Sequence, residues 1–298
     1  MDGETIPADA FAGRGVRWVA AAIGEPVTSS ARLPATSSTV LRCSTRSGRE
    51  LVLRLFTNRR WLTAEPDLAA HEAAALHMAA KLPLPTPDLV AVDLDGGSAG
   101  APAVLMTALP GEVLVPHRPS RDWLQTLADI AVLIAAADHE GLGWRYDPWL
   151  PRQMAFPVDG AAGWARAAAI VAAGLPDEPV VLLHRDHHPL NLLFQGSQLS
   201  AVVDWVNACV GPAPVDVAHC RLNLVAMYGE EAADAVRDRW CDRTGWSYNP
   251  IWDLVSALSM LPLTPYAPWS DCGIVLDQAE RERRTTRLVR RALAELGA

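Results

Sequence analysis

The spacing of hydrophobic and polar positions changes about a third of the way along the chain. In the first part, short apolar runs bounded by turn residues predict β-strands. These runs cover residues 33–41, 50–56, 89–92 and 101–106. Beyond residue 109 the apolar positions recur at helical spacing. The predicted helices there cover residues 123–137, 163–173, 230–244, 252–260 and 278–296. A short strand is also predicted at 179–183, and a hairpin at 192–203 with its turn at Gly196.

The first part also contains two segments with a helical pattern, at residues 12–27 and 66–80. Pro66 is well placed in the first turn of the second segment. Leu109-Pro110-Gly111 then forms a natural hinge before the helical part begins. We therefore predict an α+β chain with two lobes. The first, at 1–108, is a small antiparallel sheet with one inserted helix, and the second, at 109–298, is mainly helical.

Composition favours an ordinary globular protein, since half of the 298 residues are hydrophobic and 20% are charged. A net charge of −8 disfavours a nucleic-acid partner. The longest apolar run, 130–137, is too short to cross a bilayer, and residues 1–4 show no signal-peptide pattern. The five cysteines are scattered without a C-x-x-C motif, which suits reduced thiols. We expect a cytoplasmic protein that binds neither membrane nor nucleic acid.

Arginine supplies almost all of the positive charge, because Lys81 is the only lysine among 26 basic residues. Six arginines lie in the last predicted helix, at positions 281, 283, 284, 287, 290 and 291. Such a run could contact RNA or an anionic lipid surface. Glutamates are interleaved with it, however, so we expect a solvated helix face of mixed charge.

The most informative motif is the segment His184 to Asn191, which reads H-R-D-x-x-x-x-N, with Asp204 a short distance beyond it. Kinase catalytic loops have this spacing, followed by a second metal-binding aspartate. Phosphoryl transfer requires a carboxylate beside the attacking hydroxyl, and Asp186 is the candidate. It also requires oxygen ligands that hold Mg²⁺ against the phosphates, and Asn191 and Asp204 are the candidates.

Two other interpretations of this segment stay open at the level of sequence. His184, His187 and His188 could together bind a metal ion, although H-E-x-x-H is absent and the segment follows a strand. The pattern could also arise by chance, because arginine and aspartate are common in loops.

A possible phosphate-binding pair lies in the first part. Arg54 is in the middle of an apolar strand, and Glu72 shares a helix stripe with Leu68 and Leu76. A carboxylate on a buried stripe requires a cation, so we predict that Arg54 pairs with Glu72, like the lysine–glutamate pair of kinases. The alternative is that Arg54 lies on an exposed edge strand. The segment 33–40 has Thr36, Ser37, Ser38 and Thr39 but no glycine, unlike the glycine-rich phosphate loop of protein kinases. Its backbone amides and hydroxyls could still meet phosphate oxygens.

With these motifs in place, the chain is similar to the aminoglycoside phosphotransferase family of small-molecule kinases, which share the two-lobed protein-kinase-like fold. The resemblance runs from about residue 51 to 252 and includes Gly211-Pro212-Ala213-Pro214-Val215-Asp216-Val217-Ala218, similar to the family's G-x-P-x-x-D-x-A segment. It implies that Asp186 is the catalytic base, that Asn191 and Asp204 bind Mg²⁺, and that Asp216 braces the catalytic loop. It also implies that the backbone of Thr107, Ala108 and Leu109 binds adenine, that residues 1–108 form the nucleotide-binding lobe, and that residues 109–298 form the catalytic and acceptor-binding lobe.

The predicted function is therefore an ATP- and Mg²⁺-dependent phosphotransferase acting on a hydroxyl of a small molecule, such as an aminoglycoside-like antibiotic or a metabolite. The alternative is a pseudokinase that binds nucleotide or metabolite and regulates a partner, because the strand lysine is replaced by Arg54. Residues 109–298 hold 23 acidic and 16 basic residues, against 11 and 10 in 1–108. This imbalance favours a cationic or neutral acceptor over an anionic one.

Overall fold

The computed structural model describes residues 8–35, 37–151, 154–263 and 276–298. The chain forms two compact units. The first contains the residues up to Glu112 and also Leu193–Asn207, and the second contains Val113–Leu192 and Ala208–Ala298. The predicted α+β class is confirmed, with a small antiparallel sheet in the first unit and mainly helices in the second. The roles assigned to 1–108 and 109–298 stay predictions.

The first unit is built on a five-stranded antiparallel sheet with the strand order β1-β2-β3-β5-β4. Its strands are β1 (Val27–Leu33), β2 (Thr39–Thr45), β3 (Glu50–Leu55), β4 (Leu89–Asp93) and β5 (Ala103–Thr107). Leu51, Leu53 and Leu55 project from one face of β3 into a core shared with Val19 and Leu105. β3 is therefore a central strand, paired with β2 on one side and β5 on the other.

The strand predicted at 33–41 is wrong, because this segment belongs to two strands. Leu33 ends β1, and Thr39 begins β2. Pro34 follows β1 directly and lacks the backbone N–H that a strand ladder uses. Most of β1 is exposed, so it carries no alternation of apolar and polar residues from which it could be predicted. Thr36 lies outside the described residues.

Three helices accompany this sheet: α1 (Ala8–Ile23), α2 (Arg59–Ala64) and α3 (Leu68–Ala79). α1 ends earlier than predicted, since Gly24 has a φ of 71° and Pro26 follows. The short α2 was not predicted; the Asn58 side chain caps it by accepting a hydrogen bond from Trp61 N at 3.1 Å.

A hairpin from later in the chain completes the first unit. It consists of β8 (Leu192–Gln195) and β9 (Gln198–Val202), as predicted, and turns at Gly196 with a φ of 61°. The short strand β6 (Glu112–Val113) lies beside β8, at the point where the chain leaves the unit. Asp204 follows the hairpin and precedes a 3-10 turn, Trp205–Asn207, that packs against α3.

The second unit is a helical bundle with one small sheet. Its helices are α4 (Arg121–Ala135), α5 (Ala161–Ala173), α6 (Pro214–Tyr228), α7 (Glu230–Thr244), α8 (Ile251–Ser259) and α9 (Gln278–Glu295). The sheet pairs β7 (Val180–Leu183) with β10 (Cys209–Pro212). The five predicted helices are present with ends shifted by at most two residues. α6 was missed because it is buried on nearly all sides and therefore lacks an amphipathic period.

The arginines of α9 are only partly solvated, which corrects the expectation of a solvated face. Arg281 is buried, and Arg284 donates to the carbonyl oxygens of Ala226 and Met227 at the end of α6. Arg291 forms ion pairs with Glu230 and Asp234 of α7. Among the helices that the structure describes, none is long and apolar enough to span a membrane.

Candidate active site

The predicted catalytic loop begins where β7 ends and is held from behind by Asp216. The Asp216 carboxylate accepts hydrogen bonds from His184 N at 2.8 Å and from Arg185 N at 2.7 Å. Burial raises the pKa of Asp216 to about 6, although these two N–H donors oppose the shift. Asp216 is in the first turn of α6, so the helix fixes the start of the loop. The bracing contact implied by the family resemblance is present.

Three side chains of the second unit converge on the carboxylate of Asp186. His219 Nε2 lies 3.1 Å from Asp186 Oδ1, and His188 Nε2 lies 3.4 Å from the same atom. Asn191 Nδ2 donates to Asp186 Oδ2 at 3.2 Å and to the Asp186 carbonyl at 2.8 Å. Burial alone would raise the pKa of Asp186, but His188 and His219 outweigh it and hold the pKa well below its usual range. The carboxylate is therefore ionised and fixed in orientation.

The backbone determines which nitrogen of His188 faces Asp186 with a proton. Leu190 N donates to His188 Nδ1 at 3.2 Å, so a neutral His188 carries its proton on Nε2. That nitrogen lies 3.4 Å from Asp186 Oδ1 and 3.3 Å from Asn191 Nδ2. In this tautomer Nε2 acts as a hydrogen-bond donor and has no lone pair for a metal ion.

The alternative of a metal site built from His184, His187 and His188 is not supported by the geometry. His187 Nε2 lies 2.9 Å from the carbonyl oxygen of Leu127. Burial lowers the pKa of His187 to about 3, although this contact opposes the shift. In the described part of the chain, the one group spaced for a metal ion is Asp186, His188 and His219. Only one of the three histidines named from the sequence belongs to it.

His219 was missed at the level of sequence. It follows Asp216 by three residues in α6, so the two side chains share a helix face. The spacing D-x-x-H, which begins at the loop-bracing aspartate, could have indicated that His219 lies on the same face as Asp216. This inference requires that α6 be recognised as a helix.

The predicted ion pair between Arg54 and Glu72 is present in the first unit. Arg54 Nε lies 3.0 Å from Glu72 Oε1, Nη2 donates to Asp204 Oδ1 at 2.7 Å, and Nη1 donates to Ser38 Oγ at 3.3 Å. Because β3 is central, the alternative of an exposed edge strand is wrong. Arg54 thus joins the predicted phosphate-loop residue, the helix glutamate and the predicted metal ligand.

Burial and the ion pairs act in opposite directions on the pKa values of Arg54 and Glu72. Glu72 is 0% exposed, and burial raises its pKa to about 7 while Arg54 opposes the shift. Burial also acts against the charge of Arg54, but Asp204 and Glu72 outweigh it and raise the pKa of the guanidinium. A guanidinium stays protonated in proteins, so Arg54 is a permanent cation beside two carboxylates.

Both predicted metal ligands have an oxygen that a hard cation could use. Asn191 directs its Nδ2 to Asp186 and keeps its Oδ1 available. The Asp204 side chain is 33% exposed and uses Oδ1 for Arg54, which leaves Oδ2. Carboxylate and amide oxygens are the ligands that Mg²⁺ prefers. The two residues belong to different units, and their role as metal ligands stays a prediction.

The segment predicted to bind adenine follows β5 and is half-buried. Thr107 N donates to Asp88 O, and Ala108 N donates to Glu50 O, each at 3.0 Å. Leu109 N donates to no backbone carbonyl among the described residues. Of the three amides, that of Leu109 is the one left for a ligand, and adenine binding there stays a prediction.

Comparison with known proteins identifies the family. A family model described as the phosphotransferase enzyme family matches residues 31–258. The chain belongs to this family.

Two curated relatives are similar over part of their length. A homoserine kinase of Methylocella silvestris is 32% identical over 169 residues, which cover 52% of this chain and 46% of that protein. An N-acetylmuramate/N-acetylglucosamine kinase of Pseudomonas aeruginosa is 25% identical over 55% of this chain and 52% of that protein. The chain spans about half the length of the curated relatives that it matches.

Solved structures share the fold at low identity. A thermostable mutant of aminoglycoside phosphotransferase APH(4)-Ia has a TM-score of 0.64 at 19% identity, over 93% of this chain and 98% of that one. Macrolide 2'-phosphotransferase MphH from Brachybacterium faecium has a TM-score of 0.59 at 18% identity, over 91% and 95%. These similarities confirm the protein-kinase-like fold.

Proposed function

We propose that this protein is an ATP- and Mg²⁺-dependent phosphotransferase that transfers phosphate to a hydroxyl group of a small molecule. The observation that carries the proposal is the arrangement around Asp186. Donors from His188, His219 and Asn191 keep its carboxylate ionised and fixed, at the position that the kinase catalytic loop reserves for the residue that orients the attacking hydroxyl.

Each residue has a defined part in this proposal. Asp186 orients the acceptor hydroxyl and takes its proton, and Arg54 binds phosphate oxygens of the nucleotide. Asn191 and Asp204 would hold Mg²⁺, which neutralises charge on the phosphates when it is bound. Glu72 keeps Arg54 in place, and Asp216 does the same for the start of the loop.

Relatives support a small-molecule acceptor without naming it. Homoserine and N-acetylated sugars appear in the names of the two curated relatives, and a structural neighbour was solved as a ternary complex with ADP and hygromycin B. The acidic balance of residues 109–298 favours a cationic or neutral acceptor at long range. Several of those acids are paired with arginine, including Asp129, Asp234 and Asp253. The preference for an acceptor of a given charge therefore depends more on the side chains next to Asp186 than on the net charge of residues 109–298.

The test is incubation of the protein with Mg²⁺-ATP and a panel of hydroxy acids, amino alcohols, sugars and aminoglycosides, with detection of products by an 80 Da mass increase, the mass of one added phosphoryl group. ADP release measured in parallel separates transfer from hydrolysis. At least one panel member should gain a phosphate in wild type and none in Asp186→Ala. A protein that binds Mg²⁺-ATP but phosphorylates no compound would contradict the proposal.

A pseudokinase is the second candidate, and one observation favours it. Arg54 already forms a 2.7 Å hydrogen bond with Asp204, so part of the predicted metal site is neutralised by the protein itself. Under this alternative, ATP would bind without Mg²⁺ and without turnover. Calorimetric titration of ATP with Mg²⁺ and with EDTA separates the two candidates, because the enzyme requires the metal for tight binding.

A further inference from the structure

Arg185, the residue before Asp186, has an unusual backbone conformation. Its φ is 68°, which lies in the left-handed region of backbone conformation. Glycine adopts this region easily, asparagine and aspartate do so sometimes, and other residues rarely do. Such conformations persist where the surrounding structure or the function requires them. An arginine at this position therefore carries a backbone cost that glycine would avoid, which suggests that its side chain has a use.

The guanidinium of Arg185 is held by aromatic rings. Its central carbon lies 4.1 Å from the ring centroid of Trp149 and 5.3 Å from that of Tyr146, and Nη2 donates to the carbonyl oxygen of Asp147. These contacts fix the plane of the group and leave its charge uncompensated. Over the described ranges, no aspartate or glutamate oxygen lies within ion-pair distance of it, and Arg185 Nε is buried without a hydrogen-bond partner.

A small cavity of about 20 Å³ lies against this guanidinium, within the second unit. Its polar and aromatic lining comprises Tyr146, Trp149, Arg185, His219, Ser256 and Ser259. None of the lining residues is acidic. The volume is that of one or two water molecules, so the cavity can take a group the size of a carboxylate but not a sugar ring.

His219 contacts both this cavity and Asp186. The imidazole of His219 lines the cavity and places Nε2 3.1 Å from Asp186 Oδ1. A compound anchored in the cavity would therefore extend toward the carboxylate that orients the attacking hydroxyl. Because a single imidazole touches both the cavity and Asp186, we expect a short acceptor, with a few atoms between its anchoring group and its hydroxyl.

We propose that Arg185, with Ser256, binds a carboxylate of the acceptor, so that the preferred substrate is a small hydroxy acid or hydroxy amino acid. This proposal rests on the proposed phosphotransferase function and narrows it. A fixed guanidinium and the Ser256 hydroxyl match the geometry and charge of a carboxylate, whereas the Ser259 hydroxyl already donates to Val255 O at 2.8 Å. A cationic group would meet Arg185 without a carboxylate to offset it.

The test compares matched acceptors that differ only at the carboxylate, each hydroxy acid against its primary amide. The value of kcat/KM for the acid should exceed that for the amide by roughly ten- to a hundredfold, the size of one charge-assisted hydrogen bond. Arg185→Gln and Arg185→Gly should reduce this ratio to about one while KM for ATP stays unchanged. The glycine variant suits a φ of 68°, so it should fold, and a thermal melt checks this.

Arg166→Gln is the matched control, because Arg166 is an exposed arginine of α5 in the same unit. It should keep the wild-type ratio. An equal loss of kcat for acid and amide in Arg185→Gly, with the ratio unchanged, would mean that Arg185 contacts the transferred phosphate, and would overturn the proposal. A wild-type preference for the amides or for amines would also overturn it.

Direct binding separates this inference from the proposed function. Calorimetric titration of the hydroxy acids into wild type and Arg185→Gly, without nucleotide, measures the carboxylate site alone. Binding that depends on Arg185 without any turnover would support the inference and contradict the phosphotransferase. Turnover of hydroxy acids that does not depend on Arg185 would support the phosphotransferase and contradict the carboxylate site.

Discussion

Arg54 and Asp204 are 150 residues apart in sequence, and Arg54 Nη2 donates a 2.7 Å hydrogen bond to Asp204 Oδ1. The strand cation and the predicted metal ligand are therefore in direct contact. The arginine reaches both carboxylates at once, since its Nε lies beside Glu72 while its Nη2 is at Asp204. A lysine would have to meet both carboxylates with the three donors of one nitrogen, without the spread of a guanidinium.

Replacement of Arg54 tests this double contact. Arg54→Ala leaves Glu72 buried without its cation and should destabilise the protein by about 3–5 kcal/mol, as expected for a broken buried ion pair. Arg54→Lys should lose less stability and keep weaker ATP binding. Urea unfolding and ATP titration of both variants measure the two effects. The double variant Arg54→Ala/Glu72→Gln should recover part of the stability, and equal ATP affinity in all forms would exclude a nucleotide role for Arg54.

Asp186→Ala should lower turnover by roughly a thousandfold or more, because orientation and proton acceptance are lost together. Affinity for ATP should change little, since the contacts of Asp186 are to its own loop and to His219. Steady-state kinetics and nucleotide titration measure both quantities. Asp177→Ala, at an exposed acid of the same unit, is the control and should keep normal turnover.

Asp216 and Asp204 should differ in what their loss affects. Asp216→Ala removes the acceptor for two backbone N–H groups and should cost roughly 2–5 kcal/mol of unfolding free energy. Asp204→Ala should instead weaken Mg²⁺-ATP binding with a small effect on stability, because Arg54 keeps Glu72 as a partner. Thermal melts and titrations of both variants test the division. Identical behaviour would show that one of the two assignments is wrong.

His187 should make the protein less stable in mild acid. Burial lowers its pKa to about 3, whereas the unfolded chain has the ordinary value of 6.5. Below pH 6.5 the unfolded state binds a proton that the folded state does not, so stability falls as the pH drops toward 3, by up to about 1.4 kcal/mol per pH unit. His187→Gln removes this titration. Urea unfolding at pH 7 and pH 5 should show a smaller loss in the variant than in wild type, and an equal loss would contradict the prediction.

The sequence was sufficient where chemistry and spacing are local. The loop from His184 to Asn191, the hairpin with its turn at Gly196 and the amphipathic helices all follow from short-range patterns, because turn residues and helical periodicity act within a few residues. The Arg54–Glu72 pair could also be predicted, since a buried-stripe carboxylate requires a cation.

Only the tertiary structure revealed the contacts of His219 with Asp186 and of Arg54 with Asp204. α6 is buried on nearly every side, so its sequence has no polar face to mark it as a helix, and the position of His219 on it could not be deduced. β1 was hidden for the opposite reason, because its exposed residues carry no apolar alternation. The left-handed backbone at Arg185 has no sequence signal either, since arginine gives no warning of a positive φ. The sequence by itself determined which groups could do chemistry. Their partners were decided by packing between segments far apart in the chain, for which a single sequence holds no periodic pattern.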